Sequence, residues 1–338
     1  MVLCFGEALV DRLGPPGGDP ASAPSHQLDD RLGGAPANVA CALARLGTPA
    51  AFLGRLGRDS IGAAFHSLFE LRGVDVSALQ WDRERPSRVV LVRRDACGER
   101  CFQGFAGDRG AGFADQAFAA EELAEPLERL MPQAAWLLVG TIPLASAASL
   151  QALELALGRA AQNGVAIALD VNWRPTFWDA QASVGSGPSP AALEAMGPLL
   201  DQVRLLKLAA EEAQWLFATR DPQRIQAGLP QRPAVVITDG GGPLHWWLGG
   251  HGGTADPWTV EVVDTTGAGD AFLAGLLHRI CAEPELLSGA EPGRVRQAMA
   301  FASACGALVC QGAGAIDPQP SEAEVQAFLA QRSTLRGF

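Results

Sequence analysis

The sequence has no tyrosine, and its 26 basic residues include a single lysine, Lys207. One lysine outside any G-x-x-x-x-G-K-[ST] pattern excludes a phosphate-binding loop of that type. A strand–G-x-G-x-x-G–helix fingerprint is also absent, so a dinucleotide dehydrogenase is disfavoured. No G-x-S-x-G nucleophile elbow occurs either. Lys207 itself has two interpretations: a compact ammonium whose role a guanidinium cannot fill, or chance in an arginine-rich chain.

The chain also lacks a long apolar run, a basic leader and a cysteine framework. No apolar stretch approaches the ~18 residues of a membrane span, and the acidic Glu7 follows the first strand at once, unlike a signal peptide. Seven scattered cysteines favour reduced thiols in a cytoplasmic protein, and zinc at Cys97 and Cys101 is disfavoured because no further ligands complete a site. The net charge of −11 disfavours nucleic acid and anionic membranes as partners.

Apolar strand-like runs alternate with helical patterns along the 338 residues, of which 48% are hydrophobic. The strands are expected at 2–5, 50–54, 136–139, 165–169, 203–208 and 234–238, and helices at 38–46, 61–72 and 150–161. This alternation predicts an α/β fold with a parallel sheet covered on both faces. Two regions, 12–32 and 86–105, break the rhythm and are expected to form a small β-structure that serves as a lid or a dimer surface.

Residues 264–270 (DTTGAGD) carry the strongest functional signal. They follow a strand-like run at 259–263 and precede a helical segment at 271–277. A glycine-rich turn that opens a helix offers backbone N–H groups and the positive end of a dipole, and is therefore an anion site. Asp270 would repel a bound phosphate unless it takes the proton from an attacking hydroxyl. The alternative is an ordinary helix cap.

Polar residues at the ends of the first strand and before the first helix could bind a substrate. Glu7 and Asp11 follow a strand, where α/β proteins bind ligands, and Asp11 could accept two sugar hydroxyls or serve as a turn residue. Gly33 and Gly34 allow a close approach to the backbone, and Asn38 offers one acceptor and two donors. A plain helix start is the alternative.

Two later strand ends suggest phosphate and metal contacts. Asp170 and Arg174 end one strand, and the arginine could hold a phosphate or form a structural salt bridge. Lys207 and the glycine turn at 238–242 could contact a nucleotide's phosphates. Glu212 could act through water on a magnesium ion, or belong to a solvated helix start.

Taken in order, these motifs resemble the PfkB (ribokinase-like) family of carbohydrate kinases nearly end to end. The resemblance lies in 33–38 (GGAPAN) with 54–59 (GRLGRD), in 264–270, and in 301–307 (FASACGA). It is greatest to the fructokinases, on the opening GEALVD and on DVNWRPxxW at 170–178. The family implies a three-layer α/β/α sandwich with a mostly parallel central sheet, one domain over 1–338, and a small β-sheet lid inserted at about 12–32 and 86–108.

The resemblance implies ATP-dependent sugar phosphorylation and a role for each motif. The implied catalytic residues are Asp270 as base and the amides of Gly267, Ala268 and Gly269 as anion hole. The implied sugar contacts are Asp11, Gly33, Gly34, Asn38, Arg174 and Arg109, and the implied ATP contacts are Lys207, Thr238, Gly240, Gly242 and Ser303. Glu212 is expected to act on Mg²⁺ through water, and Asp264 on a monovalent cation such as K⁺.

Departures from the family pattern leave the acceptor open. Where fructokinases carry an F-x-F-Y-R-like lid segment, residues 102–106 are FQGFA, and Arg109 is the expected substitute. The family's N-x-x-E motif keeps only its Glu, at Glu212, and its T-L-G turn becomes Thr238-Asp239-Gly240. Fructose is the expected acceptor. Alternatives are another family acceptor (2-keto-3-deoxygluconate, ribose or a nucleoside) and a non-catalytic binding protein. A homodimer through the lid is also expected.

Overall fold

The structure, a computed structural model, describes residues 1–15, 17–94 and 100–336. Its strands are β1 Val2–Phe5, β2 Leu9–Leu13, β3 Asp29–Gly33, β4 Ala50–Leu53, β5 Arg55–Gly57, β6 Gln80–Asp82, β7 Val89–Arg94, β8 Arg100–Ala106, β9 Trp136–Val139, β10 Ala166–Asp170, β11 Val203–Ala209, β12 Ala234–Thr238, β13 Leu244–Leu248 and β14 His251–Ala255. Its helices are α1 Ala35–Arg45, α2 Ser60–Arg72, α3 Ala120–Leu130, α4 Ala147–Asn163, α5 Pro175–Trp178, α6 Pro190–Leu200, α7 Ala210–Phe217, α8 Pro222–Gly228, α9 Ala268–Ala282, α10 Pro292–Val309 and α11 Glu322–Arg336. The turn expected near 95–98, with Cys97, lies outside the described residues.

The central sheet has the strand order β14-β13-β12-β11-β10-β9-β1-β4. Neighbours from β4 to β12 are parallel, and β13 and β14 add an antiparallel hairpin at one edge. Because parallel strands end at the same edge, the residues that follow them converge there. The register places Asp170, the last residue of β10, directly beside Lys207 of β11.

Alternate side chains of the buried strands pack into two hydrophobic cores, one on each face of the sheet. In β1, Val2 and Cys4 pack with α1, α2, α9, α10 and α11. Leu3 and Phe5 pack with α3, α4, α6, α7 and α8 on the other face. The two-residue period of a strand explains this division. The prediction of a three-layer α/β/α sandwich with a mostly parallel sheet is confirmed.

A second, four-stranded sheet, the lid sheet, has the order β3-β2-β7-β8. Strand β2 pairs antiparallel with β3 and parallel with β7, and β7 and β8 form a hairpin. Val10, Val89 and Leu91 give it a small apolar cluster of their own. The small β-sheet expected beside the main sheet is therefore present, whereas the assignment of the whole chain to one domain stays a prediction.

The prediction of a strand at 259–263 is wrong. That segment has no strand structure, although Val262 and Val263 are apolar and exposed. The amides of Val263 and Asp264 instead donate to the carbonyl of Cys310 at the end of α10, at 2.8 and 3.2 Å. The run therefore caps a helix C-terminus, which an alternating pattern does not reveal. Among the described residues no helix is long and apolar enough to cross a membrane.

Candidate active site

The loop at 264–270 opens helix α9 and places Asp270 in its first turn. Gly267 is the residue before the helix, and its φ of 77° would be strained for a residue with a side chain. A Cβ there would also lie 2.5 Å from the Cβ of Ala315. The Ala268 amide donates to the carbonyl of Thr265 at 3.2 Å, a long bond with which an incoming anion can compete.

Asp270 is bound by a residue from another helix. Asn38 of α1 donates from Nδ2 to Asp270 Oδ2 at 2.7 Å, across 232 residues of sequence. A first-turn aspartate that only capped its own helix would need no such partner. The contact also joins two of the sequence motifs, the glycine pair before α1 and the loop before α9, at one point.

Burial raises the pKa of Asp270 from its ordinary value to about 6. Loss of hydration is the largest cause, and the neighbouring carboxylate of Asp170 adds to it. The Lys207 ammonium, the hydrogen bond from Asn38 and the guanidinium of Arg174 act in the opposite direction. Asp270 is thus mainly ionised at neutral pH yet basic enough to accept a proton, as a general base requires.

Lys207 lies beneath the first turn of α9. Its Nζ donates to both carboxylate oxygens of Asp170, at 3.0 and 2.9 Å, and both residues are buried. A Cβ on Gly269 would lie 3.0 Å from this Nζ. The prediction that Lys207 sits with the anion site therefore has a geometric basis. The ion-pair partner of Asp170 is Lys207 and not Arg174, for which a structural salt bridge was the alternative interpretation.

Glu212 is a buried residue that fixes backbone. One oxygen accepts from the Trp173 amide at 2.6 Å and the other from the Ala209 amide at 2.7 Å. It therefore ties the loop after β10 to the start of α7 and is not part of a solvated helix start. Burial and Asp170 raise the pKa of its carboxyl.

Most of the residues predicted to contact a sugar lie close together beside the lid sheet. Gly34 has a φ of 102°, and a Cβ on it would lie 2.6 Å from the carbonyl of Glu7, so only glycine fits. A Cβ on Gly33 would lie 3.5 Å from Asp11 Oδ2 and 4.0 Å from Asn38 Oδ1. The glycine pair therefore lets a ligand reach both side chains.

A cavity of about 560 Å³ joins these groups. Its polar lining from the predicted set is Asp11, Gly34, Asn38, Arg174, Lys207, Gly267, Gly269 and Asp270. The lid sheet and its neighbours add apolar walls, namely Leu9, Val90, Val92, Phe102, Phe177 and Val184. A few convergent polar groups in a half-apolar cavity of this size are typical of a small-molecule site.

Glu7 is a functional candidate that the sequence singled out without a role. It is 3% exposed, its Oε1 accepts from the Ala35 amide at 3.1 Å, and Oε2 has no partner among the described atoms. Burial, with smaller contributions from Asp115 and Asp270, raises its pKa to about 8. Glu7 lines the same cavity, where at neutral pH its carboxyl is mostly uncharged.

Arg109 is exposed in the loop after β8 and lies outside the lining of this cavity. The arginine that the lid buries is Arg88, which the sequence analysis missed. Arg88 makes two hydrogen bonds to Asp115, at 2.8 and 2.9 Å, and its guanidinium packs on Phe105, Phe113 and Phe177. It fixes the base of the lid, and its partner 27 residues away left no sequence signal.

Asp264 is a buried carboxylate that accepts hydrogen bonds from two loops. Oδ1 accepts from the amide and hydroxyl of Thr266, at 3.0 and 2.7 Å, and Oδ2 from the amide of Gly314, at 2.8 Å. It thus holds two loops together beside the N-terminus of α9. Within the described ranges no cluster of three or more His, Cys, Asp or Glu side chains could hold a metal ion by itself.

Apart from Lys207, the residues expected at the nucleotide fall into two places. Thr238 donates to the carbonyl of Leu208 at 3.4 Å, and the amide of Gly242 closes a turn on Asp239 at 2.6 Å. Gly240, in that turn, has a φ of 52°. Ser303 of α10 lines a separate cavity of about 860 Å³ beside Trp258 and Ala300, which is not lined by the 238–242 turn.

The family profile described as "pfkB family carbohydrate kinase" matches residues 1–322. Fructokinase-1 of Oryza sativa subsp. japonica is 32% identical over 335 residues, 96% of this chain and 96% of that protein. A fructokinase of Xylella fastidiosa with bound ATP has a TM-score of 0.81 at 28% identity, covering 98% of both chains. A double mutant of the Vibrio cholerae O395 fructokinase, bound to fructose, ADP and potassium ion, has a TM-score of 0.78 at 28% identity over 97% of each chain. The chain therefore belongs to the pfkB family of carbohydrate kinases.

Proposed function

We propose that this chain is an ATP-dependent fructokinase that converts D-fructose and ATP to fructose 6-phosphate and ADP. The observation that carries the proposal is the position of Asp270, held by Asn38 at the start of α9 and open to the 560 Å³ cavity. The fructokinases of Xylella fastidiosa and Vibrio cholerae, similar over nearly the whole chain, support the choice of acceptor.

In the proposed reaction, Asp270 accepts the proton of the sugar hydroxyl as its oxygen bonds to the γ-phosphorus of ATP. The bond from that phosphorus to the bridging oxygen breaks, and ADP leaves with the electron pair. Charge then shifts between phosphoryl oxygens, where the amides of Gly267, Ala268 and Gly269 and the N-terminal dipole of α9 stabilise it. Positioning supplies much of the remaining acceleration.

The sugar would bind between the glycine pair and the lid sheet. Asp11, Gly33, Gly34 and Asn38 would contact its hydroxyls, and Arg174, exposed at the rim, its oxygen-rich end or the phosphoryl group. The apolar lid walls exclude water, which otherwise competes as acceptor. A contact from Arg109 stays a prediction and requires its exposed loop to fold over the cavity.

ATP would lie with its γ-phosphate at α9 and Lys207, and its base toward Ser303. Thr238, Gly240 and Gly242 form the turn proposed to follow the remaining phosphates. When bound, Mg²⁺ would supply positive charge that neutralises the phosphates. Glu212 fits it only through water, because both of its oxygens already accept backbone amides. Asp264, a buried carboxylate beside the N-terminus of α9, is the residue proposed to bind a K⁺ ion, as a carboxylate oxygen accepts more than one partner.

ADP release tests the proposal, with purified protein, Mg²⁺-ATP and separate acceptors. We expect the highest kcat/KM with fructose among fructose, ribose, glucose, 2-keto-3-deoxygluconate and adenosine, and faster turnover in K⁺ than in Na⁺. A higher kcat/KM with another acceptor would replace fructose but keep the kinase. No turnover with any acceptor, together with ATP binding, would support a non-catalytic binding protein.

Two further predictions concern the protein's setting. A homodimer through the lid sheet, whose outer strands are β3 and β8, is tested by light scattering of the purified chain. The cytoplasmic location also stays a prediction, which fractionation of the source cells tests.

A further inference from the structure

The only lysine of the sequence is spent on a buried ion pair. Burying an ammonium and a carboxylate removes their hydration, and such a pair is often no more stabilising than apolar residues of the same size. Stability alone therefore gives little reason for a pair at this point of the sheet. Its position relative to α9 gives another reason.

Lys207 and Asp170 differ in what they face. Lys207 lines the 560 Å³ cavity together with Gly267, Gly269 and Asp270. Asp170 lies behind it and lines a small void of about 10 Å³ on the other side, beside Glu7. Register pairing of the two strands and bonds to both carboxylate oxygens leave the ammonium little freedom.

We propose that Asp170 is a positioning residue that fixes the Lys207 ammonium under the first turn of α9, where this ammonium completes the anion site for the transferred phosphoryl group. The inference rests on the proposed function, since it deepens the role of the same site. It gives Asp170, which does not line the cavity, an effect on phosphoryl transfer that passes through Lys207 and is separate from its effect on the pKa of Asp270.

The geometry also explains why the residue is lysine. The Nζ lies 3.0 Å from the position that a Cβ of residue 269 would take, so the helix turn and the ammonium are in close contact. A guanidinium is larger and planar and would have to displace the turn. Among 25 arginines, this position keeps the compact cation.

Other charges meet the same point and must be considered with it. Asp270 and Glu212 attract the ammonium along with Asp170, and their negative charges raise the pKa of Lys207. Arg174 lies across the cavity, and Glu7 near Asp270. Lys207 therefore stays charged through the neutral pH range. Its positive charge offsets the neighbouring carboxylates, which would otherwise repel a bound phosphoryl group.

Three variants separate positioning from mere stability: Asp170→Asn, Lys207→Met and the double variant. Each single variant leaves one buried charge unpaired, and we expect both to lose thermal stability. The double variant leaves none, and its melting temperature should return to within about 3 °C of wild type. We nevertheless expect its kcat to stay about 100- to 1000-fold below wild type, the effect of losing one anion-site donor.

The double variant should still bind ADP like the wild type, because ADP lacks the transferred group, but lose affinity for a non-hydrolysable ATP analogue. Recovery of both stability and kcat in the double variant would overturn the proposal, as would additive losses of kcat from the two substitutions. If the wild type phosphorylates no acceptor, the proposed function fails separately. The ratio of ATP-analogue to ADP affinity then tests the positioning by Asp170, and an unchanged ratio would overturn it.

Discussion

The hydrogen bond from Asn38 to Asp270 should set the pH at which the enzyme begins to work. Asp270 must be ionised to take a proton, and its pKa of about 6 predicts that kcat/KM falls below that pH. The Asn38 amide donates at 2.7 Å to the ionised form and lowers this pKa. Asn38→Ala removes the donor, so the acid limb of the profile should move to higher pH.

The size of the shift follows from the strength of the bond. A hydrogen bond to a charged group contributes about 1.5–3 kcal/mol, and one pKa unit corresponds to about 1.4 kcal/mol. Loss of the Asn38 donor should therefore raise the pKa of Asp270 by about one to two units. At pH 6 the wild type is roughly half ionised, whereas the variant should be ionised to about a tenth or less.

The assay is kcat/KM for the acceptor between pH 4.5 and 9 at constant ionic strength, since this quantity reports the free enzyme. Asn38 is also a proposed sugar contact, so its loss should lower the whole profile, but only a changed pKa moves the limb. Asn38→Asp, with a second carboxylate at the same place, should move the limb further up. A limb that stays near pH 6 in Asn38→Ala, or moves down, would refute the assignment of Asp270 as the titrating base.

Three further substitutions test the supports of the site. Gly267→Ala should lower the free energy of unfolding by about 1–2 kcal/mol because of the φ of 77°, and by a further amount because of the clash with Ala315; it should also lower kcat. The control is Gly158→Ala in α4, where the space around the glycine is open, and it should not destabilise the protein in chemical denaturation. Glu7 has a pKa of about 8 in the folded protein against an ordinary 4.5, so its contribution to stability is complete below pH 4.5 and declines as pH rises to about 8. At pH 8.5, Glu7→Gln should therefore melt at a higher temperature than wild type, by an amount equivalent to at most about 4–5 kcal/mol. Equal melting temperatures would show that folding does not raise the pKa of Glu7. Arg88→Met should lose about 3–5 kcal/mol because Asp115 is left buried without its partner, and Arg88→Met with Asp115→Asn should recover part of it in urea unfolding; equal loss in both would show that the pair is not the cause.

The strands of the central sheet could be predicted because strands that are buried on both faces consist of short apolar runs. Strands β9 and β12 match the expected 136–139 and 234–238 residue for residue. The run at 259–263 has a similar composition, but its amides cap α10. Local composition does not distinguish these cases, because the difference lies in which distant carbonyl is within reach.

Within the site, the motifs named candidate residues but not their hydrogen-bond partners. The glycine turn predicted where an anion could bind, and the family resemblance implied the roles proposed for Asp270 and Asn38. The sequence did not reveal that Asn38 bonds to Asp270, or that Lys207 pairs with Asp170, because each pair joins two different elements, 232 and 37 residues apart. Glu212 was visible as a carboxylate, but its two backbone partners depend on how the loop after β10 folds.

The central claim is that Asp270 removes the proton from the sugar hydroxyl, and Asp270→Ala tests it most directly. The measurement is ADP release at saturating Mg²⁺-ATP and fructose, with ADP affinity of the same preparations as the control for folding. General-base catalysis contributes about 10²–10⁴ in rate, so turnover should fall at least 100-fold while ADP affinity changes little. Turnover within a few-fold of wild type would contradict the account.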